Sequence, residues 1–189
     1  MGGGPSGGAG RRWGRIHNRG MSEEALQGER VRLRRVRPDD RERLTALFND
    51  PEVLRWWGDA EESLDDTFSP SPEEVGYVIE SEGEFAGFIQ YGEETEPMYR
   101  HASIDIALAE GARDRGIGAE AIRTLASYLF EVRGHHRLTI DPAADNAKAI
   151  RSYERIGFRP VGIMRRYERG LDGTWHDGLL MDLLAAELR

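Results

Sequence analysis

The first half of the chain alternates apolar and polar residues in a way that predicts part of a β-sheet. Residues 31–37 alternate in this way, the pattern of a strand with one solvated face. Residues 75–80 and 85–91 have a period of two in their apolar and polar positions. They lie on either side of Glu82 and Gly83, which predicts a hairpin. These segments are expected to be strands of one sheet.

Helical spacing replaces this alternation between residues 38 and 57. The run Pro38-Asp39-Asp40 predicts a helix start, because an Asp accepts hydrogen bonds from the free N–H groups of a first turn. Its apolar stripe is Leu44, Leu47 and Phe48. A short second helix is predicted over residues 52–57. Residues 59–72, rich in Asp and Glu, are predicted to form a mobile loop with one helical turn.

The second half of the chain alternates strands and helices. Residues 104–109 indicate a buried strand, and the turn at residues 113–118 opens a long amphipathic helix. A strand at residues 136–141 and a second helix follow, and residues 159–167 and 174–184 predict a closing hairpin. The apolar side of the long helix consists of Ile117, Ala121, Ile122, Leu125, Leu129 and Phe130.

The 113–118 turn has the features of a phosphate-binding loop. A turn that feeds a helix start leaves backbone N–H groups unpaired beside the positive end of the helix dipole. Gly116 and Gly118 let a ligand approach the main chain closely, and Arg113 and Arg115 add positive charge. The spacing matches neither the dinucleotide fingerprint nor a Walker A loop. The alternative is a loop whose glycines serve only the geometry of the turn.

Two motifs in the second half resemble those of the GNAT N-acetyltransferases. The first is Arg113-x-x-Gly116-x-Gly118, and the second is Asn146 followed by Ala149-x-x-x-Tyr153-Glu154-x-x-Gly157-Phe158. The resemblance covers residues 30–184. It implies an α/β (α+β) fold in which about four helices flank a mixed, mostly antiparallel sheet of about seven strands. It also implies a splay, a place where neighbouring strands part, between strands 4 and 5.

The resemblance further implies acetyl-CoA as co-substrate and no metal. The diphosphate is expected on the backbone of the 113–118 turn, and the pantetheine arm in the splay. The family's counterpart of Asn146 contacts the cofactor arm, and that of Tyr153 lies beside the thioester sulfur as the general acid. The expected cofactor-binding residues are Ile106, Ala107, Leu108, Arg113, Asp114, Arg115, Gly116, Ile117, Gly118, Ala119, Asn146 and Tyr153.

Asp105 interrupts an otherwise apolar strand. Burying a carboxylate is costly unless a partner or a bound cation offsets the cost. Asp105 is therefore a candidate general base or ammonium-binding group, unless the backbone or an Arg satisfies it. Asp141 ends the next strand, and parallel strands would bring both carboxylates to one cleft. The main-chain N–H groups of residues 106–108 are expected to bind the oxyanion.

Trp56 and Trp57 are adjacent on a predicted helix, where neighbours point about 100° apart and cannot both face one core. One is expected to line a cleft, as a flat plate on which a sugar ring or an aliphatic substrate stacks. Alternatively, both pack in different parts of the core. The acidic run at residues 59–66 is either a solvated face or part of the acceptor site.

Composition narrows the class of protein. The 189 residues, 39% apolar and 32% charged, suit one soluble domain, and no apolar run approaches a membrane span. The absence of cysteine excludes disulfides, thiolate metal sites and a cysteine nucleophile, which favours direct attack by an amine and a cytoplasmic location. His135 and His136 are expected at a helix end rather than as metal ligands.

Residues 1–28 are expected to be a disordered Gly/Arg-rich tail before a single domain at residues 29–189. The first twenty residues contain four arginines and no acidic residue, and they suit neither a core nor a signal peptide. An RNA-binding arm is the alternative, and Met21 offers another start of translation that would make the tail non-native. From Met21 onward, 22 basic and 34 acidic residues give a formal net charge of −12, which favours cationic small molecules over nucleic acid.

The acceptor is predicted to be a primary amine of a cationic small molecule. Trp56-Trp57-Gly58, Ile104-Asp105 and Ile140-Asp141-Pro142 look most like the aminoglycoside 6′-N-acetyltransferases, whose activity is antibiotic resistance. The resemblance makes Trp56, Trp57, Asp105 and Asp141 the expected substrate-binding residues, and Asp105 and Tyr153 the catalytic ones.

Other activities stay open from the sequence. The hairpin at residues 174–181 is also similar to that of the ribosomal-protein N-terminal acetyltransferases. A protein N-terminus, a polyamine or a lysine-like metabolite is therefore an alternative acceptor. A lesser alternative is a non-catalytic acyl-CoA-binding module. No nucleic acid or membrane partner is expected, and the oligomeric state is a monomer or a homodimer.

Overall fold

A central sheet with helices on both faces forms the fold, in a computed structural model that describes residues 24–189. The strands are β1 (Ala25–Gln27), β2 (Val31–Arg35), β3 (Glu74–Ser81), β4 (Glu84–Glu94), β5 (His101–Leu108), β6 (Arg137–Ile140), β7 (Arg159–Arg169) and β8 (Trp175–Leu184). The helices are α1 (Arg41–Phe48), α2 (Pro51–Trp57), α3 (Ala60–Phe68), α4 (Ile117–Glu131) and α5 (Ala147–Ile156). Most of the expected tail lies outside the described residues.

The strands run in the order β1-β2-β3-β4-β5-β6-β8-β7. Neighbours are antiparallel except β5 and β6, which are parallel, so a mixed, mostly antiparallel sheet is confirmed. Residues 24–189 contain eight strands rather than about seven. The additional strand is β1, which pairs with β2 although the sequence analysis assigns its residues to the tail. Three residues are too few to show an alternating pattern.

The splay lies between β5 and β6. Only two residue pairs join these strands, Ala102 with Leu138 and Ser103 with Thr139. Beyond Ser103, β5 continues to Leu108 without pairing to β6. The two strands therefore part along the second half of β5, which confirms the predicted splay, since β5 and β6 are strands 4 and 5 when β1 is not counted.

The sheet separates two apolar clusters. Ile89 packs in the cluster that contains α4, and its neighbour Phe88 packs in the cluster that contains α1, α2 and α3. Because adjacent strand residues point to opposite faces, the two sets of helices lie on opposite faces of the sheet. The predicted apolar side of α4 is confirmed: its members are buried, with Phe130 partly so.

The acidic segment at residues 59–72 is not the expected mobile loop, because it contains the helix α3. The Asp59 side chain accepts hydrogen bonds from the N–H groups of Glu61 and Glu62, at 2.8 and 3.0 Å, which caps the first turn. Leu64 and Thr67 are buried, so the acidic residues occupy the other sides of the helix. Within residues 24–189 there are thus five α-helices rather than about four, and none has the length and apolar content to cross a membrane.

Candidate active site

The gap between β5 and β6 opens into a cavity of about 470 Å³, called here the splay cavity. Its walls come from α2, β5, the 113–118 turn, the start of α4, the end of β6, α5 and β7. It brings together most of the expected site residues, namely Trp56, Trp57, Asp105, Ile106, Ala107, Leu108, Arg113, Asp114, Gly116, Gly118, Ala119, Asp141, Asn146 and Tyr153. Arg115 and Ile117 do not line it, and the Ile117 side chain is buried in the core.

The start of α4 leaves backbone donors free beside the splay cavity, which Gly118 and Ala119 line. Gly116 occupies the cap position with φ +79°, a left-handed conformation that favours glycine, and no side chain caps the helix. The N–H of Glu120 donates to the Gly116 carbonyl, whereas those of Ile117, Gly118 and Ala119 find no acceptor within residues 24–189. A Cβ on Gly118 would lie 2.9 Å from the Leu108 Cδ1 atom. This arrangement fits a diphosphate, as the motif predicts.

The two arginines of the 113–118 turn differ in their surroundings. Arg113 donates from Nε to the Leu108 carbonyl at 3.1 Å, from Nη2 to Asp50 at 2.7 Å and from Nη1 to Glu52 at 3.0 Å. Its charge is therefore matched by two carboxylates of the α2 region, and the side chain ties the turn to that helix. The Arg115 side chain is 56% exposed and lies 3.5 Å from the Glu82 carboxylate.

The free edge of β5 directs backbone N–H groups into the gap. Ala109 donates its N–H to the Ala86 carbonyl of β4 at 3.0 Å. Because successive N–H groups of a strand point to opposite edges, those of Leu108 and Ile106 face the side from which β6 has parted. The Leu108 carbonyl, which accepts from Arg113, faces the same side.

Asp105 lies in the wall of the splay cavity, where burial and the nearby Asp141 carboxylate raise its pKa to about 6. Its hydrogen-bond partner is the Gln90 side chain, whose Nε2 donates to Oδ2 at 3.4 Å, and no basic side chain within residues 24–189 pairs with it. Burial also raises the pKa of Asp141 and of Glu168 on β7. Parallel pairing of β5 and β6 thus places the carboxylates of Asp105 and Asp141 together, as predicted.

Tyr153 projects from α5 into the same cavity. Burial and the charges of Asp105 and Asp141 raise the pKa of its hydroxyl, so the group is a proton donor at neutral pH. Asn146 begins α5, and its side-chain Oδ1 accepts from the Ala149 N–H at 3.1 Å. Asn146 therefore caps the helix that carries Tyr153, in addition to lining the cavity.

Both members of the tryptophan pair line the splay cavity, and Trp57 also packs against the apolar cluster beneath α1–α3. The Trp57 ring packs against Phe48 and Phe88, with centroid distances of 5.7 and 6.0 Å, and so belongs to the core beneath α1–α3. The Trp56 ring carries the Arg55 guanidinium at 4.3 Å from its centroid. Aromatic rings and carboxylates thus line the same cavity.

A second cavity of about 480 Å³ adjoins the first, and we call it the acidic cavity. Trp57 and Glu168 line both cavities. The acidic cavity is also lined by Asp59, Glu62 and Asp66, so these members of the acidic run face a cavity.

Three polar residues at the site or next to it are absent from the residues predicted from the sequence. Lys148 lines the splay cavity and lies 3.0 Å from the Asp114 carboxylate, and its position two residues after Asn146 is the signal that could have identified it. Glu168 lines both cavities, and the nearby Asp141 carboxylate raises the pKa of the Tyr167 hydroxyl to about 12. Tyr167 and Glu168 gave no signal because their positions depend on an irregularity in β7.

Comparisons with known proteins agree with this geometry. The model of the Acetyltransferase (GNAT) domain family matches residues 30–159. The Escherichia coli K12 spermidine N(1)-acetyltransferase is 25% identical over 158 residues, covering 80% of this chain and 84% of that protein. The Klebsiella pneumoniae aminoglycoside N(6′)-acetyltransferase type 1 is 29% identical over 153 residues, covering 70% and 75%.

A solved structure shares the fold. The Vibrio cholerae spermidine N-acetyltransferase in complex with CoA and spermine superimposes with a TM-score of 0.72 at 22% identity, over 84% of this chain and 97% of that chain. The family match covers more than half of the sequence. The chain therefore belongs to the GNAT acetyltransferases, and it is an N-acetyltransferase that uses acetyl-CoA as acyl donor.

Proposed function

We propose that this protein transfers the acetyl group of acetyl-CoA to a primary amine of a cationic small molecule, and that the 6′-amino group of an aminoglycoside is the acceptor. One observation carries the proposal: Asp105, Asp141 and Tyr153 line the same cavity as Gly118 and Ala119, whose N–H groups are free at the start of α4. Neither carboxylate is paired with a basic side chain within residues 24–189. Both are therefore available to an ammonium group.

The donor side of the site would be held mainly by main-chain groups. The N–H groups of Ile117, Gly118 and Ala119 would bind the diphosphate at the positive end of α4. Those of Ile106 and Leu108 would bind the amide groups of the pantetheine arm and the carbonyl oxygen that becomes negative during transfer. Acetyl-CoA supplies an acyl group on a thiolate leaving group.

Proton transfer would be divided between two side chains. Asp105, which is ionised above a pKa of about 6, would take the proton of the acceptor ammonium directly or through a water. The neutral amine can then attack the acyl carbon, while Asp141 keeps the acceptor in place through its charge. Tyr153 would protonate the departing sulfur, which its raised pKa permits at neutral pH. The sequence has no cysteine, so the acetyl group would pass directly to the amine.

The identity of the acceptor is the finer part of the proposal. A tryptophan wall at Trp56 suits a sugar ring, and a relative at 29% identity is an aminoglycoside N(6′)-acetyltransferase. A polyamine is the second candidate. It is supported by the relative at 25% identity and by the adjoining acidic cavity, which would suit the remaining ammonium groups of a longer chain.

A thiol-release assay with purified protein and acetyl-CoA would test these acceptors. We expect release with kanamycin or tobramycin, and a product heavier by one acetyl group. The matched control is an aminoglycoside that carries a hydroxyl in place of its 6′-amine, which should be inert. Release with spermidine but with no aminoglycoside would replace the first acceptor by the second, and no release with any amine would contradict the proposed function.

A further inference from the structure

The sequence contains a single lysine, Lys148, and the remaining 25 of its 26 Lys and Arg residues are arginines. Lys148 lies in the first turn of α5, two residues after the capping residue Asn146, and it lines the splay cavity. A lysine ammonium is a compact charge with three N–H donors, and such a group binds phosphate as a point charge. The one lysine of the chain is thus a wall residue of the cavity that acetyl-CoA is expected to occupy.

The position of Lys148 is unfavourable within the helix itself. The first turn of a helix is the positive end of its dipole, so that an anion is stabilising there and a cation is destabilising. The first turn of α5 contains no acidic residue that would offset the lysine charge. Proteins break local rules of this kind at functional sites, and an anion bound beside Lys148 would offset the unfavourable charge.

The Lys148 side chain extends to the turn at residues 113–118. Its Nζ donates to the Asp114 Oδ2 atom at 3.0 Å and lies 4.0 Å from the Glu52 Oε1 atom. Asp114 has φ +59°, a left-handed conformation that Asp and Asn adopt more readily than most other residues. The ammonium group is therefore held next to the turn that leads into the free N–H groups of residues 117–119.

The stability of the fold does not explain this contact. The side chains of Lys148 and Asp114 are 56% and 73% exposed, and exposed ion pairs contribute little to stability. The turn is already joined to the α2 region by Arg113. Asp114 accepts from one N–H of the ammonium group, so the other two are available to the oxygens of a phosphate.

The other basic side chains that line the splay cavity have different surroundings. Arg113 is matched by two carboxylates of the α2 region, and Arg123 donates from Nε to the Arg189 carbonyl. Arg155 lies in the last turn of α5, where a cation interacts favourably with the helix dipole. Among the basic residues that line this cavity within residues 24–189, Lys148 is the one that lies at the turn and retains free donors.

We propose that Lys148 binds the diphosphate of acetyl-CoA, as the charged side chain that supplements the main-chain donors at the start of α4. This inference rests on one part of the proposed function, the placement of the diphosphate at residues 117–119, and not on the identity of the acceptor. Because α5 also carries Tyr153, the bound diphosphate would link the helix of the proposed general acid to the start of α4.

The test compares Lys148→Met, which removes the charge, with Lys148→Arg, which keeps it, in the full chain. By calorimetry, the Kd for CoA should rise about three- to tenfold in Lys148→Met and change less than about twofold in Lys148→Arg. Dephospho-CoA keeps the diphosphate but lacks the 3′-phosphate, and it should show the same rise. Pantetheine has no phosphate and should show none. The matched control is Arg151→Met, at an exposed arginine of α5 that lines neither cavity.

A second measurement needs no variant, because the chain has one lysine. Acetylation of Lys148 by an N-hydroxysuccinimide ester, followed by mass spectrometry of its peptide, should slow severalfold when CoA or dephospho-CoA is bound. Saturating pantetheine should leave the rate unchanged.

Three results would overturn the inference and leave the proposed function standing. They are an unchanged Kd for CoA in Lys148→Met, a rise that is absent with dephospho-CoA, and labelling of Lys148 that CoA does not slow. A wild type that binds CoA no more tightly than pantetheine would instead contradict the placement of the diphosphate in the proposed function.

Discussion

The two sides of the splay cavity, which the proposed function assigns to the donor and to the acceptor, differ in the groups that form them. On the donor side, free N–H groups lie at the start of α4 and along the unpaired edge of β5, and the Arg113 charge is matched by Asp50 and Glu52. On the acceptor side, Asp105, Asp141 and Glu168 keep their charges unpaired within residues 24–189. Main-chain donors can be presented by any sequence that folds this way, whereas the charges of side chains depend on which residues a sequence supplies. The difference explains how one fold can share a donor and vary the acceptor.

The largest expected effect comes from a substitution on the acceptor side, at Asp105. In Asp105→Asn the proton acceptor is lost while the shape of the side chain is kept. We expect kcat/KM for the amine to fall about 100- to 1,000-fold, because general-base catalysis contributes this order of magnitude. Calorimetry should show an unchanged affinity for CoA. A fall of less than about threefold in thiol release would contradict the role of Asp105.

The next largest effect concerns the donor side, where Gly118→Val should weaken the binding of CoA. The Cβ of the new side chain would lie 2.9 Å from the Leu108 Cδ1 atom, beside the free N–H groups at the start of α4. We expect the Kd for CoA to rise about ten- to a hundredfold, since each hydrogen bond to a charged group contributes about 1.5–3 kcal/mol. Gly111→Ala is the matched control, because its Cβ meets nothing within 4 Å. Equal losses in both variants would show that the effect is not local.

Activity and the affinity for CoA should depend differently on pH. Asp105 has a pKa of about 6, raised by burial and by Asp141, so it binds a proton as the pH falls through 6. Activity that needs its charge should then fall about tenfold per pH unit below that value. This acidic limb of the pH–rate profile reflects Asp105, Asp141 and Glu168 together, because the titrations of these groups interact. CoA affinity measured over the same range should stay flat, and a parallel fall would contradict the division.

The smallest expected effect compares the two arginines of the 113–118 turn. Arg113→Gln leaves Asp50, Glu52 and the Leu108 carbonyl without their shared partner. We expect the free energy of unfolding to fall by about 1–2 kcal/mol in urea denaturation. Arg115→Gln should change it by less than about 0.5 kcal/mol, because exposed ion pairs contribute little. Equal values for the two variants would show that the link from the turn to α2 is not stabilising.

Local signals in the sequence predicted the turn and the helix at residues 113–131. Gly116 and Gly118 mark a turn that opens a helix, and this feature depends on residues that are neighbours in the chain. The splay beside the turn was expected from the resemblance to a family and not from a local pattern. The partners of Arg113 could not be predicted in the same way, because Asp50 and Glu52 are about 60 positions away and meet it only in the folded chain.

The acceptor side was harder to predict for the same reason. Asp105 stood out because a carboxylate within an apolar strand is costly, and Asp141 followed from the parallel pairing of β5 and β6. Glu168 and Tyr167 are redirected by a bulge that no local pattern reveals. The composition of α3 suggested a loop, although Asp59 and the spacing of Leu64 and Thr67 were already those of a capped helix.

The pairing of β5 with β6 has a mechanical consequence. Two residue pairs provide all the ladder contacts between β1–β5 and the remaining three strands. A ligand whose amide groups form hydrogen bonds with the unpaired edge of β5 would add contacts at the boundary between these two parts of the sheet. Because such a ligand binds only the folded sheet, its binding raises the free energy of unfolding. The stability of the protein should therefore increase with the fraction of cavities that hold acetyl-CoA.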